Sequence, residues 1–376
     1  MHPCHLIRAV PVFVLLLAGL AYSTSPCRAD ERPNIIVIMV DDMGWSDLGC
    51  YGGEIRTPNI DGLAGGGLRF TSFYNTARCC PTRASLLTGL YPHQAGLGRM
   101  TFDTGKPGYR GFLTANTVTI PEVLRQAGYR TAMVGKWHLS LTESPGDHMK
   151  FLNNQAIRKR FSDPATYPVS RGFEEHYGII WGVTSFFDPY SLVHNLEPVR
   201  VLPKDYYITD AFSDHAVEYV EKYSRGKEPF FLYLAYTAPH WPLHALPEDI
   251  KKYEDTYKVG WDVIRKARFY RLVEMGLTDA DRFGIFGGSY GGYLTLRGVA
   301  VTDRFRVGVA LYGFIENRRM TLETGGFTYE DEYIAPVTWP MERDSVGSDV
   351  FSHLHEIDTP TLLLHGDQDP ICTVSQ

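Results

Sequence analysis

Two reactive side-chain patterns stand out in the 376-residue sequence, a pair of adjacent thiols and a serine set among glycines. Cys79-Cys80-Pro81-Thr82-Arg83 carries the thiols. Neighbouring cysteines bridge to each other only with strain, so the pair is not expected to form a disulfide. Gly287-Gly288-Ser289-Tyr290-Gly291 has the Gly-x-Ser-x-Gly spacing of a nucleophile elbow, where glycines allow the sharp turn that lifts a hydroxyl out. Alone, that pattern describes a glycine-rich surface turn better. A third feature is Asp41-Asp42. Two adjacent carboxylates repel, so a buried pair requires a cation or a raised pKa, and a hard divalent ion with oxygen ligands suits it. From the dipeptide alone, a solvated strand end is the simpler account.

These residues sit where strands give way to loops. Ile35-Ile36-Val37-Ile38-Met39-Val40 predicts a buried strand over 33–42 that ends abruptly in the two acids. Thr119 to Ala127 predicts a helix, with Pro121 in its first turn and Gly128 just past its end. Tyr129 to Val134 predicts a short strand leading into Gly135-Lys136-Trp137-His138. Phe230 to Ala235 predicts another, leading into Pro239-His240-Trp241. Strands alternating with helices imply an α/β sheet, whose ligands gather at the carboxyl ends of the strands. Asp255 to Gly276 is expected to form one polar helix. The pattern then restarts with a strand over 282–286, the Ser289 turn, a helix through Ala300, and strands over 307–312 and 361–365.

Composition is that of an ordinary globular protein, 44% hydrophobic and 21% charged, and the length suggests roughly two domains. A net charge of −6 excludes a nucleic-acid partner and an anionic membrane surface as expectations. The N-terminus has the layout of a secretory signal over residues 1–29: His5 and Arg8, an apolar run from Val10 to Ala21, then Cys27-Arg28-Ala29. The run is too short to span a bilayer, so the expected location is exported, periplasmic or secreted, with no stable membrane span. Of six cysteines, Cys50, Cys79, Cys80 and Cys372 remain after such cleavage. That is too few for a disulfide scaffold in an exported protein, so a cysteine that matters here matters for its chemistry.

The thiol segment runs on into Ala84-Ser85-Leu86-Leu87-Thr88-Gly89-Leu90-Tyr91-Pro92 and resembles the signature of the formylglycine-dependent sulfatases. Arg32-Pro33-Asn34 before the Asp41-Asp42 strand, Thr57-Pro58-Asn59-Ile60-Asp61, Gly135-Lys136-Trp137-His138-Leu139 and Ala238-Pro239-His240 carry the likeness, in order, over about residues 32–275. The resemblance implies an alkaline-phosphatase-like α/β sheet sandwiched by helices and hydrolysis of a sulfate ester. It implies that a formylglycine-generating enzyme converts Cys79, recognising Pro81 and Arg83, and that Arg83 steadies the formylglycine diol. Asp41 and Asp42, with the residue at 79, would hold calcium. Lys136, His138 and His240 would bind sulfate oxygens or act on the leaving oxygen, with His240 as proton donor. The substrate would be a sulfated small molecule or carbohydrate. Cys80 fills a variable position and carries no role. The family's later Asp-Asn-Gly ligands have no counterpart here, since no Asp-Asn pair occurs. Half the oxygen cage would then be missing and calcium affinity low.

The serine segment, Phe286 to Tyr293, resembles the prolyl oligopeptidase family, and Val309-Ala310-Leu311-Tyr312-Gly313 and Thr361 to Asp369 follow in the same order. That resemblance implies Ser289 as nucleophile, Asp369 as orienting acid and the Tyr290 amide in the oxyanion hole. The family histidine would follow Asp369, and none does before Gln376, so Ser289 would lack its base. The expected organisation is therefore a signal at 1–29, an incomplete sulfatase domain at 30–276 and an incomplete α/β-hydrolase fragment at 277–376, joined near Glu274 to Asp279. Sulfatase chemistry at Cys79 is the leading expectation. A catalytically dead chimaera or anion-binding remnant is the second, and a serine hydrolase using Ser289 the third.

Overall fold

The structure, a computed structural model, describes residues 32–141, 161–279, 283–288, 290–311 and 355–364. The signal expected over 1–29, Ser289 and Asp369 lie outside the described residues. The strands in chain order are β1 Ile35–Met39, β2 Arg130–Gly135, β3 Glu175–Ile179, β4 Leu192–His194, β5 Glu197–Pro198, β6 Phe230–Ala235, β7 Phe283–Gly288, β8 Phe305–Leu311 and β9 Thr361–Leu364. The helices are α1 Pro58–Gly66, α2 Cys79–Thr88, α3 Ile120–Gln126, α4 Ile208–Ser224, α5 Pro247–Lys252, α6 Trp261–Glu274 and α7 Tyr290–Val301, with short 3₁₀ turns between some of them. Two compact units divide the chain, Met1–Gly44 with Ser72–Asp255 and Trp45–Thr71 with Thr256–Gln376.

The first unit is built on a sheet of order β1-β6-β2-β3-β4-β5, parallel from β1 to β3 and antiparallel from β3 to β5. Successive side chains of a strand point to opposite faces, and β2 and β6 are apolar on both. Met133, Phe231 and Tyr233 enter one core with Ala84 and Leu87 of α2. Ala132, Val134, Phe230, Leu232 and Leu234 enter the other with Ile208, Phe212, Ala216, Tyr219 and Tyr223 of α4. Helices therefore cover both faces, as an α/β sandwich requires. Each fully buried aromatic here contributes roughly 1.5–3 kcal/mol relative to an exposed one.

Register sets the heights of the strand ends. Met39 and Gly135 both pair with Ala235, so β1, β2 and β6 finish level. The Gly135 backbone runs so close to its neighbours that a Cβ there would lie 1.9 Å from the Ala235 carbonyl oxygen, at a φ of 110°. Only glycine fits.

Three expectations change. The first strand is Ile35–Met39, not 33–42, and only one of its faces is even partly buried. Ile36 and Ile38, on the other face, are 47% and 57% exposed, and among the described residues no strand pairs the outer edge of β1. The polar helix expected from Asp255 begins only at Trp261, after Gly260 at a φ of 87°, a left-handed conformation that a continuous helix cannot contain. The helix after the serine pattern runs from Tyr290 to Val301.

The second unit carries a separate parallel sheet, β7-β8-β9, with α7 connecting β7 to β8. Glu54 accepts three hydrogen bonds from Arg268, one from Nε at 3.0 Å and two from Nη2 at 2.7 and 2.6 Å, and a fourth from the Tyr257 hydroxyl. Phe286 on β7 and Leu362, Leu363 and Leu364 on β9 are exposed.

Helix α3 starts with a capping box. Thr119 Oγ1 accepts from the Glu122 amide, Glu122 accepts from the Thr119 amide at 2.8 Å, and the same hydroxyl donates to the buried Arg171 carbonyl at 2.8 Å. Thr119→Ala removes both contacts and is expected to cost about 1–2 kcal/mol, read as a lower denaturant midpoint of the full chain with an unchanged slope.

Candidate active site

Asp41 lies just beyond β1, and its amide donates to the Ala238 carbonyl at 3.0 Å. Lys136 follows β2, with its amide held by Ala235 at 2.7 Å, and His138 is held by the Ile180 carbonyl at 3.1 Å. Helix α2 brings Cys79 as its first residue and Arg83 one turn on. Pro81 in that first turn leaves no intrahelical bond unmade, and Gly89 closes the helix at a φ of 69° with its amide on Ser85. The level strand ends thus bring Asp41, Cys79, Arg83, Lys136 and His138 to one edge of the sheet.

Asp41 is the centre of the charges. Its Oδ2 accepts a hydrogen bond from Lys136 Nζ, and its Oδ1 is 3.5 Å from Arg83 Nη2. All three side chains are buried, Lys136 at 0% and Arg83 at 1% exposure. Arg83 Nη1 donates to the Lys136 carbonyl at 2.7 Å. Burial alone would raise the Asp41 carboxyl, but the charges of Arg83 and then Lys136 hold it below the usual carboxylate range. Burial, then the Arg83 charge, lowers the Lys136 ammonium against the pull of Asp41. Two cations against one carboxylate leave an excess of positive charge in a low-dielectric setting, a site disposed to take an anion. Arg83 Nε has no hydrogen-bond partner among the described residues, and Nη2 meets Asp41 only through the long ion pair, so one buried donor stands open and a second is loosely held.

A cavity of about 500 Å³ opens on this edge, lined by Asp41, Asp42, Tyr74, Cys79 and Arg83 among others. Cys79 is half-buried at its wall. Its thiol is held well below the usual range by hydrogen bonding to Cys80, then to His138, with the Lys136 charge adding to the effect against burial. Lys136 and His138 do not line the cavity. His138 packs edge-on to Trp181, with centroids 5.5 Å apart, and meets the Cys80 sulfur at 3.6 Å. Gly182 makes room for it: a Cβ there would lie 2.2 Å from His138 Cε1.

Asp42 and His240 form a more open pair. Asp42 is 63% exposed, at a left-handed φ of 64°, and its Oδ2 is 3.5 Å from His240 Nε2. His240 Nδ1 faces the Trp241 carbonyl at 2.6 Å. Both ring nitrogens therefore face oxygen acceptors. Cys80, Trp181, Gly182 and Tyr233, whose hydroxyl receives a long 3.5 Å bond from Arg83, were not singled out by the sequence. Only contacts across more than 40 residues of chain reveal them, apart from Cys80, whose position beside Cys79 was the one available signal.

The two carboxylates do not make a closed cage for a hard divalent ion. Calcium takes six to eight oxygens. Here both Asp41 oxygens face cations, and the group of three metal-capable side chains found among the described residues is Cys79, Cys80 and His138, not an oxygen set. A formylglycine at position 79, by contrast, would stand at the cavity wall beside the open donor of Arg83.

With this geometry in view, comparison with known proteins gives the class. The family model described as Sulfatase matches residues 33–338, and this chain belongs to the sulfatase family. Its α/β sheet is of the alkaline-phosphatase-like sulfatase kind. The arylsulfatase of Klebsiella aerogenes is 34% identical over 280 residues, covering 71% of this chain and 55% of the relative. The uncharacterized sulfatase PB10D8.02c of Schizosaccharomyces pombe is 37% identical over 270 residues, covering 66% and 45%. The crystal structure of Ps i-CgsB is 32% identical with a TM-score of 0.50, covering 66% of this chain and 53% of that one. The chain spans about half the length of the curated relatives it matches. Sulfatases of this family generally use formylglycine and a divalent metal.

Two measurements bear on the site's construction. Gly182→Ala drives a methyl group into His138 and is expected to cost about 1–3 kcal/mol, read by denaturant unfolding. Burial depresses His138 to about 4 and His176 to about 3, from an ordinary value of 6.5. Both rings stay neutral in the folded chain while the unfolded chain takes up protons. The contribution of these two rings to stability is expected to be flat above pH ~6.5 and to fall as pH drops towards ~4, by about 3 kcal/mol for His138 alone. Urea midpoints measured across that range check it.

Proposed function

We propose that this chain is the catalytic portion of an exported sulfatase that hydrolyses a sulfate ester through a formylglycine made from Cys79. The observation that carries the reading is Arg83: a buried guanidinium at the cavity wall, one helical turn from Cys79, with Nε unpartnered and Nη2 held only by a long ion pair to Asp41. Family membership supplies the reaction class. Formylglycine supplies a hydrated aldehyde with one oxygen to attack sulfur and a second hydroxyl whose collapse releases sulfate.

The chain's own residues would serve that chemistry as follows. Arg83 presents Nε to a sulfate oxygen, while Nη2 stays against Asp41, and its charge balances what builds on the sulfate. Lys136 acts through Asp41, to which its ammonium is bonded, and keeps that carboxylate ionised and fixed. His138 steadies the thiol end of helix α2 through Cys80. His240, with both nitrogens directed at oxygens, is the group placed to hand a proton to the leaving alcohol. Exposed Phe73 and Tyr74 at the cavity offer flat apolar faces suited to a sugar ring or an aryl group. A sulfated carbohydrate or aryl ester is therefore the substrate class. A formylglycine-generating enzyme is the implied partner. Calcium is the metal the resemblance implies, with Asp42 and the residue at 79 as available ligands and Asp41 only once its oxygens turn from Arg83 and Lys136.

The residues from 277 onward are proposed as a fragment related to prolyl oligopeptidase-type α/β-hydrolases, joined near Glu274 to Asp279. Its support is local: β7 ends at Gly288 and α7 begins at Tyr290, so strand and helix flank position 289, and β7, β8 and β9 are parallel. Ser289 and Asp369 lie outside the described residues, and the peptidase reading has no site geometry behind it. The anion-binding remnant is the second reading, favoured by the incomplete oxygen cage.

Mass spectrometry of the peptide bearing position 79, from a host that carries out the conversion, is expected to show an aldehyde in place of the thiol. The purified protein is expected to turn over an aryl sulfate, and Cys79→Ala is expected to lose that activity. His240→Gln is expected to lower kcat by ~10²-fold or more for an alkyl sulfate and much less for a nitrophenyl sulfate, whose leaving group needs no proton. An unconverted thiol in such a host, or anion binding without turnover, would favour the remnant.

A further inference from the structure

The least expected cluster at the site is made of sulfur and nitrogen. Cys79, Cys80 and His138 each offer one ligand atom, and these atoms all lie within 4.8 Å of one another. Cys80 Sγ is 3.6 Å from His138 Nε2 and 3.7 Å from Nδ1. From this juxtaposition we propose that the chain with its encoded cysteines, before any conversion at position 79, binds one soft divalent cation, zinc above all, through Cys79, Cys80 and His138.

The geometry suits that ion. Zinc sits about 2.3 Å from thiolate sulfur and about 2.0–2.1 Å from imidazole nitrogen. A tetrahedral angle between those bonds puts the two donors about 3.5 Å apart, close to the spacing already present between Cys80 and His138. The set is two sulfurs and one nitrogen, soft and borderline donors that select zinc over calcium or magnesium. Three protein ligands leave a fourth position, and Cys79, which lines the cavity, is the ligand through which solvent would reach it. Water or an anion takes that place.

Charge permits it as well. Burial and the neighbouring Cys79 hold the Cys80 proton, so the incoming ion displaces it to solvent, after which two thiolates neutralise the ion. The nearby cations Lys136 and Arg83 are already directed at Asp41, so their charge is partly balanced. Cys80 is completely buried and His138 nearly so, so neither donor has to be pulled out of water when the ion enters.

The site is separate in kind from the family's oxygen-ligated metal. It exists only while residue 79 is a thiol. Oxidation of Cys79 to an aldehyde removes one of the two thiolates and leaves a single sulfur and a single nitrogen, too few to retain zinc. The same side chain would then decide between a soft-metal site in the encoded chain and an anion-processing site in the converted one.

Cobalt(II) is the probe, because thiolate ligation gives a sulfur-to-cobalt charge-transfer band and tetrahedral geometry gives intense visible bands. The full chain, produced in a host without converting activity and kept reduced with a phosphine, is titrated with cobalt chloride and then with zinc chloride. One equivalent of cobalt is expected to produce both sets of bands, and one equivalent of zinc to bleach them. Cys80→Ser is expected to weaken cobalt binding at least about tenfold and to diminish the charge-transfer band. Cys50→Ser, at a free cysteine outside the cluster, is expected to leave both unchanged. If Cys80→Ser fails to fold by circular dichroism, His138→Gln decides by the same readout. No charge-transfer band, an octahedral spectrum alone, or a band that Cys50→Ser removes and the cluster variants keep overturns the proposal. Such a failure leaves the sulfatase reading untouched, because that reading is tested by the aldehyde and by turnover in a converting host.

Discussion

The buried carboxylate of Asp41 is the point on which the site turns. It lies just beyond β1, accepts from Lys136 just beyond β2 and faces Arg83 on helix α2, so three elements distant in sequence are tied at one group. Such a cluster is costly to desolvate and adds little net stability over an apolar equivalent. Its effect is on specificity of arrangement. If any one charge were removed, the others would remain buried without compensation, a loss of the order of several kcal/mol. Lys136 and Arg83 together outnumber Asp41, and the surplus is what makes this edge of the sheet a place for an anion.

The sheet makes the meeting possible. Parallel pairing places the carboxyl ends of β1, β6 and β2 side by side, and register brings Met39, Ala235 and Gly135 into one row. Gly135 permits the close approach of the backbones there, and Gly182 permits His138 to tuck behind the thiols. Two alternating sets of side chains on β2 and β6 feed separate cores, so the helices on both faces hold the row rigidly in depth. Placing the cationic groups on strand ends and on a short helix, rather than on long loops, limits the freedom that each must give up when an anion arrives.

Both sheets leave apolar strand surface open among the described residues. Ile36 and Ile38 are exposed on β1, and Leu362, Leu363 and Leu364 on β9. Strand edges and faces of that composition are templates for pairing with further chain. Long-range pairing in a parallel sheet also makes folding dependent on contacts far apart in sequence, as with Ile35 and Phe231.

Much of this was legible from residue order alone. The apolar runs over 35–40, 130–134 and 230–235 announced parallel strands because burial on both faces leaves no room for polar alternation. Thr119, Pro121 and Gly128 marked the limits of a helix through local capping chemistry. The thiol-to-arginine spacing, with Lys136, His138 and His240 following strands, marked the site, because those strands must end on one edge. What the sequence could not settle was partnership. That β1 would have one open face, that Gly260 would halt a polar helix, that Lys136 would spend its charge on Asp41, and that Cys80 would stand against His138 depend on which distant segments pack together. Local pattern encodes backbone period and capping, whereas burial, ion pairing and sulfur–nitrogen contact arise only when the chain closes on itself across tens to hundreds of residues.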